Sequence, residues 1–270
     1  MPLVKTQQII DEQGFTLAVN VILLEHAEAF VSAAEQLGKG LVLQLSENTI
    51  NYHGSLAPVG KALLELAASS KQSIAVHLDH ATNPELVRAA ADLGFSSVMY
   101  DGSSLDYASN VETTKQLVKE LSLQVWFEAE LGEVGGKDGV HAPGVRTKPA
   151  EAEAFVEETG VNGLAVAVGS SHAMLDKSSE LDFELIANLN DAVGVPLVLH
   201  GSSGVSHADL RKAIAAGIQK INIATELNVV FNDVVKQHIA AGPGDPRKFL
   251  VPAREALKNH LVSLHQTLAG

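Results

Sequence analysis

The chain of 270 residues contains no cysteine. That excludes disulfides, thiolate catalysis and cysteine-held zinc or iron–sulfur sites. Basic residues are scarce, 19 Lys and Arg against 32 Asp and Glu, a formal net charge of −13. Such a balance lacks the electrostatic footprint of a nucleic-acid binder. Aromatic residues make up only 4%. No apolar run approaches the roughly 18 residues that a membrane span requires. The first fifteen residues, MPLVKTQQIIDEQGF, show neither the basic start nor the apolar stretch of a secretory signal. A cytoplasmic location with no membrane partner is therefore expected. What the chain has in quantity is apolar residues, 46%, with an ordinary charged fraction of 19%. This composition can bury a core and excludes wholesale disorder. Any transition metal would have to be held by Asp, Glu or the 11 histidines.

Eight short apolar runs recur along the chain. They are Leu17–Val21, Leu41–Ser46, Ile74–His80, Ser97–Asp101, Gln124–Leu131, Gly163–Gly169, Pro196–His200 and Lys220–Thr225. Runs that are apolar on both faces are what a buried parallel sheet requires. Helical segments lie between them, clearest at Glu25–Leu37, Ser55–Ala68, Pro84–Leu93, Tyr107–Leu121, Pro149–Thr159, Asp182–Ala192 and Ser206–Ala216. Pro84 and Pro149 suit first helical turns, and Gly94, Gly160, Gly194 and Gly217 suit C-terminal caps. Helices near Glu226–Ala240 and Pro252–Leu268 follow the last strand, joined through Gly242–Pro246. Eight βα units predict an α/β fold: one (β/α)8 barrel domain over residues 1–270, with extra C-terminal helices. An open doubly wound sheet is disfavoured, because no G-x-G-x-x-G turn follows the first strand.

In such a barrel the functional groups gather at the C-terminal ends of the strands. Those ends carry Asp79-His80, Asp101, Glu128 and Glu130, Ser170-Ser171-His172, His200, Asn222 and Thr225. Three histidines at different strand mouths would converge and leave an open coordination position, the form of a catalytic zinc site. His77 and His80 lie three apart on a strand and point to opposite faces, so one meets the mouth while the other packs or orients. The remaining histidines (His26, His53, His141, His207, His238, His260, His265) are expected at the surface, His53 and His141 in loops that could reach the mouth. Gly201-Ser-Ser-Gly204, placed before a helix, has the makings of an anion nest for a phosphorylated substrate, with Asn222 and Thr225 as further donors.

Six stretches, IAVHLDHAT, SVMYDGS, EAELGEVGG, LAVAVGSSH, LVLHGSSG and KINIATEL, resemble in order the class II, zinc-dependent ketose-bisphosphate aldolases. The resemblance spans nearly the whole chain. It implies cleavage of a ketose phosphate to dihydroxyacetone phosphate and an aldehyde. It makes His80, His172 and His200 the zinc ligands and Asp79 the acid/base at the C4 hydroxyl. Gly201, Ser203, Asn222 and Thr225 would hold dihydroxyacetone phosphate, with Ser46 also touching the phosphate. Asp101 and Glu130 match carboxylates near the metal. A monovalent cation, Na⁺ or K⁺, and a dimer or tetramer are further implications. No lysine closes a strand to form a Schiff base, since Lys220 is expected to begin strand eight, which disfavours the metal-free mechanism.

The chain departs from the family pattern at four places. Ala173 follows the second histidine, and Lys177 is the nearest replacement cation. The flexible loop runs Gly135-Gly-Lys-Asp-Gly139, so Asp138 is the candidate base for the dihydroxyacetone phosphate proton. Ala224 stands where fructose-specific members often carry Asp. Asn228 stands where many members place a basic residue for the distal phosphate. The distal group is therefore left open, as an ordinary phosphate or a non-phosphate group. A metal hydrolase lacks its usual H-x-H pair here, and a non-catalytic sugar-phosphate-binding subunit is the competing non-enzymatic reading.

Overall fold

The computed structural model describes residues 3–132, 146–172, 174, 176–240, 242 and 244–270. Asp138, Ala173 and His141 lie outside them. Eight parallel strands pair in chain order and close into a ring, the last on the first. They are β1 (Thr16–Asn20), β2 (Leu41–Ser46), β3 (Ile74–Ala81), β4 (Ser97–Tyr100), β5 (Trp126–Leu131), β6 (Gly163–Val166), β7 (Leu197–Leu199) and β8 (Ile218–Ile223). The expected (β/α)8 barrel is thus observed.

Helix α1 (Thr6–Gln13) precedes the first strand and is not expected from the sequence. Trp126 Nε1 donates to Gln7 Oε1 at 3.2 Å, and Thr6 Oγ1 lies 2.8 Å from Ser97 Oγ. These contacts to the starts of β4 and β5 place α1 across the bottom of the barrel. The outer ring follows as α2 (Leu24–Leu37), α3 (Glu47–His53), α4 (Leu56–Ser69), α5 (Pro84–Leu93), α6 (Tyr107–Leu121), α7 (Pro149–Thr159), α8 (Phe183–Ala192), α9 (His207–Ala216), α10 (Thr225–Ile239) and α11 (Arg247–Ala269). No helix among the described residues is long and apolar enough to cross a membrane.

Local chemistry explains most helix ends. Asn83, Asp106, Asp182 and Ser206 each accept a backbone N–H from the first turn of the helix they precede. Gly94 and Gly160 close α5 and α7 in the left-handed conformation. Gly194 does not cap α8, which ends one residue earlier at Val193 in extended backbone. A second difference is Pro252, expected as a helix start but found inside α11. The Asp245 carboxylate accepts from Arg247 N at 3.0 Å and starts that helix earlier. Proline in the second turn then forfeits one backbone hydrogen bond.

Outward strand residues such as Leu43, Val76 and Phe127 join the large core beneath the helices. Inward residues form smaller layers, Val4, Ile9, Ala18, Val42 and Ala75, then Trp126, Ala165 and Val198. His26 and His265 are buried, not at the surface as expected. His26 meets the Phe231 ring edge-on at 4.5 Å, and His265 stacks on Phe15 at 5.4 Å. In a chain this poor in aromatics, imidazole rings fill flat gaps between helices. Burial lowers the His26 pKa to about 4.

Candidate active site

Strand alternation sends every second side chain into the barrel. Below the mouth, that set is polar. Lys220 Nζ lies 2.9 Å from Glu128 Oε2 and donates to Asn222 Oδ1 at 2.8 Å. β8 and β5 are not neighbours in the ring, so this pair reaches across the interior, and both side chains are fully buried. Lys220 is the third residue of β8, not its first, and its ammonium reaches the polar layer beneath the mouth. Glu128 Oε1 also takes the Nε2 proton of His200 at 2.9 Å. Burial alone would raise the Glu128 pKa, but Lys220 and His200 hold the carboxyl well below its ordinary range. His77 is the interior histidine of its pair. Its Nδ1 lies 2.9 Å from Ser97 Oγ, and burial first, then Lys220, lower its pKa to about 3.

Above this layer stands Asp79. Its Oδ2 accepts from Asn20 Nδ2 at 3.0 Å and its Oδ1 from Asn222 Nδ2 at 3.2 Å. Gln44 Nε2 in turn donates to Asn20 Oδ1 at 2.8 Å. Both carboxylate oxygens are therefore fixed by neutral donors. Burial pushes the Asp79 pKa up, and the surrounding His80, His200, Lys220 and His77 overcome it, bringing the group down to about 2. Asp79 and His80 both line the mouth although adjacent residues of a strand normally diverge. His80 has φ 49°, the one positive value outside glycine among the described residues. The β3–β4 register slips between Leu78 and Ala81. Together these break the alternation, at a conformational cost on the order of 1 kcal/mol.

His80, His172 and His200 meet at this point. Each offers a ring nitrogen, and the three lie within 4.8 Å of one another. His80 Nδ1 lies 2.9 Å from Asp101 Oδ2, and Asp101 Oδ1 is itself held by Ser103 N and Oγ at 3.2 and 2.6 Å. His80 Nε2 is buried and makes no hydrogen bond. His200 Nδ1 lies 3.3 Å from Glu130 Oε2. Asp101 thus faces one nitrogen of His80, which fixes that ring and leaves Nε2 for a ligand, while His200 has Glu128 at Nε2 and Glu130 beside Nδ1, the nitrogen turned to the cluster. Burial disfavours a charge on His200, but Glu128 and Glu130 raise its pKa to about 9. The potential that favours a proton there favours any cation. His80, Asp101 and Glu130 form a second, overlapping group of the same kind.

The mouth opens into a cavity of about 450 Å³. On one side lie Gly201, Ser202 and Ser203 with Asn222 and Thr225. Gly201 adopts φ 66°, and a Cβ there would sit 2.6 Å from the Ser171 backbone, so only glycine fits. A short 3₁₀ turn, Ser202–Gly204, leads into α9, and the Ser202 hydroxyl donates to Asn222 O. A left-handed residue followed by a right-handed turn is the backbone pattern from which an anion nest is built. Ser46 lines the cavity and N-caps α3 through Thr49 N at 3.2 Å. Lys177 is not on the wall. Its Nζ lies 2.5 Å from Glu226 Oε2, whose carboxylate also meets His207 and His260. Asn228 is likewise absent from the wall.

Sequence reasoning misses Lys220 and Gln44 in this network, and it misses Glu47, Asn48, Asn51 and Thr82 on the cavity wall. Counting back two from Asn222 would have turned Lys220 inward. The residues on α3 carry no such signal.

A family model described as fructose-bisphosphate aldolase class-II matches residues 6–269. A Bacillus subtilis (strain 168) protein named "Probable fructose-bisphosphate aldolase" is 37% identical over 273 residues, covering 97% of this chain and 96% of its own. Two crystal structures superpose closely. The YdjI aldolase of Escherichia coli K12 does so with TM-score 0.84, 29% identity and coverage of 97% and 94%. A fructose-1,6-bisphosphate aldolase candidate from Coccidioides immitis does so with TM-score 0.88, 29% identity and coverage of 98% and 96%.

Proposed function

Because the chain belongs to the class II fructose-bisphosphate aldolase family and is an aldehyde-lyase of that class, we propose that it cleaves a ketose 1-phosphate or 1,6-bisphosphate. The products are dihydroxyacetone phosphate and an aldehyde, and residues 1–270 work as one barrel domain. The observation that carries the reading is the meeting of three imidazole nitrogens within 4.8 Å beside a carboxylate anchored on both oxygens.

The donor set fits zinc: three imidazoles, two of them oriented by carboxylates, with a buried His80 Nε2 that has no other partner. His80, His172 and His200 would hold the ion, with Asp101 and Glu130 as neighbouring carboxylates. Bound there, zinc would polarise the ketose carbonyl and stabilise the negative charge that develops as the C3–C4 bond breaks.

The chain's own residues do the rest. Asp79 is ionised at neutral pH and takes the C4 hydroxyl proton in the cleavage direction, returning it on condensation. Asn20 and Asn222 hold its carboxylate in place. Backbone N–H groups at Gly201 and Ser203, with Ser46, Asn222 and Thr225, hold the C1 phosphate. Lys177 joins them on exchanging Glu226 for the phosphate. Asp138, proposed as the base at C3 of dihydroxyacetone phosphate, lies outside the described residues.

The test is purified protein with Zn²⁺ and a panel of ketose 1-phosphates and 1,6-bisphosphates, dihydroxyacetone phosphate being read by coupled reduction. EDTA should abolish turnover and Zn²⁺ restore it. His200→Ala should lose zinc and turnover together. Absence of dihydroxyacetone phosphate from every substrate would refute the proposal.

A further inference from the structure

We infer that Glu226, braced by His207 and His260, is a resting dock for the Lys177 ammonium, and that the strength of this dock sets how tightly the cavity holds a substrate's phosphate. The inference rests on the aldolase reading above and makes Glu226 a positioning residue for the phosphate end of that reaction.

Four segments far apart along the chain meet at this carboxylate. Glu226 lies in the first turn of α10, His207 begins α9, His260 lies on α11, and Lys177 comes from the segment between β6 and α8. The two oxygens divide their partners. Oε1 accepts from His260 Nε2 at 2.8 Å and from His207 Nε2 at 3.0 Å. Oε2 accepts from Lys177 Nζ at 2.5 Å, with His207 Nε2 farther off at 3.3 Å. An ionised carboxylate can only accept, so both imidazoles present an N–H to it. Burial alone would raise the Glu226 pKa, but His260, Lys177 and His207 hold the carboxyl well below its ordinary range.

Two features set this cluster apart from an ordinary surface ion pair. The first is its place. Glu226 directly follows Thr225, a residue of the cavity wall, so the docked ammonium sits about 3.8 Å of backbone behind that wall. Ser179 N donates to Gly204 O at 2.9 Å, which ties the segment carrying Lys177 to the turn proposed for the phosphate. Lys177 can therefore exchange a carboxylate for a phosphate by turning its side chain while its backbone stays tied.

The second feature is what remains after the exchange. The Glu226 side chain is only 15% exposed, and a carboxylate left bare at such burial would oppose the lysine's departure. It is not left bare, because Oε1 keeps both imidazoles. Lys177 itself is 39% exposed, so the bond given up is a partly solvated one. The histidines thus lower the cost of releasing the lysine, and the carboxylate raises it.

These opposed roles make the test one of sign. Calorimetry on the zinc-loaded protein measures Kd for inorganic phosphate and for dihydroxyacetone phosphate. Glu226→Gln removes the charge that holds Lys177, and should tighten both by about two- to fivefold, the worth of a partly exposed ion pair. His207→Phe combined with His260→Phe keeps the rings, removes the donors, and should weaken both by a similar factor. In a Lys177→Met background both shifts should vanish. Mere damage to the fold would weaken binding in every variant, whereas the dock moves it in opposite directions. Equal affinity in all variants would overturn the inference and leave the aldolase reading standing, as would shifts that persist without Lys177. If Glu226→Gln fails to fold, the double histidine variant with and without Lys177 decides. Failure of every protein to bind either phosphate would overturn the aldolase reading and the dock with it.

Discussion

Lys220→Met tests the polar layer under the mouth. The Lys220 and Glu128 side chains are fully buried, with Nζ 2.9 Å from Oε2. Removing one partner of a buried pair strands the other charge, at a cost of about 3–5 kcal/mol. In a barrel of this size each kcal/mol moves Tm by roughly 2–4 °C, so a loss of about 10 °C is expected. Circular dichroism melts of the zinc-loaded protein read this directly. Without the ammonium, burial raises the Glu128 carboxyl above its unfolded value. A raised carboxyl pKa means the folded state binds the extra proton, so the variant should lose further stability as pH rises. Adding Glu128→Gln removes the stranded charge and should recover more than half of the loss. Turnover should stay low in the double variant, because Lys220 also holds Asn222 Oδ1, and Asn222 Nδ2 holds Asp79. A Lys220→Met melt within about 2 °C of wild type, flat with pH, would refute the reasoning.

Three further outcomes are expected. Asp79→Ala should keep zinc by elemental analysis while kcat falls by about 10²–10⁴, the usual range for a missing acid/base group; near-normal turnover would remove Asp79 from that role. Asp101→Asn should weaken zinc affinity by about 10–100-fold in a chelator competition, through loosened His80 orientation. His26 is buried with both ring nitrogens unpaired and a pKa of about 4. Its folded pKa is lowered, so its contribution is intact above about pH 6.5 and is lost as pH falls toward 4. The loss comes to about 3 kcal/mol. Relative to His26→Phe, wild-type urea melts should therefore steepen their decline in that window.

The barrel is legible in the sequence because its signals are local. Runs apolar on both faces mark buried strands, and Asn83-Pro84 and Gly94 punctuate a helix within its own sequence. Sites at strand ends are legible too, since the fold itself says where to look. What escapes depends on closure or on weak pattern. α1, TQQIIDEQ, buries only Thr6, Ile9 and Ile10, too little periodicity to stand out. α3, ENTINYH, has almost no apolar face, so the sequence predicts one helix over Ser55–Ala68 where the fold has two between β2 and β3. Asp79 and Asn222 are 143 residues apart and meet only once the ring is closed. His26 and His265 sit in helices where an imidazole reads as polar, and only the packed neighbours show it used as a ring.

The left-handed residue at the end of β3 has a consequence for how such a site can change. Asp79 and His80 are consecutive links of one strand, and a single backbone torsion aims both at the mouth. Their spacing is set by covalent geometry rather than by any loop. Loops can lengthen or shorten without detuning that pair. Substrate preference can therefore drift through residues such as those on α3, while the bond-breaking apparatus travels unaltered with the frame.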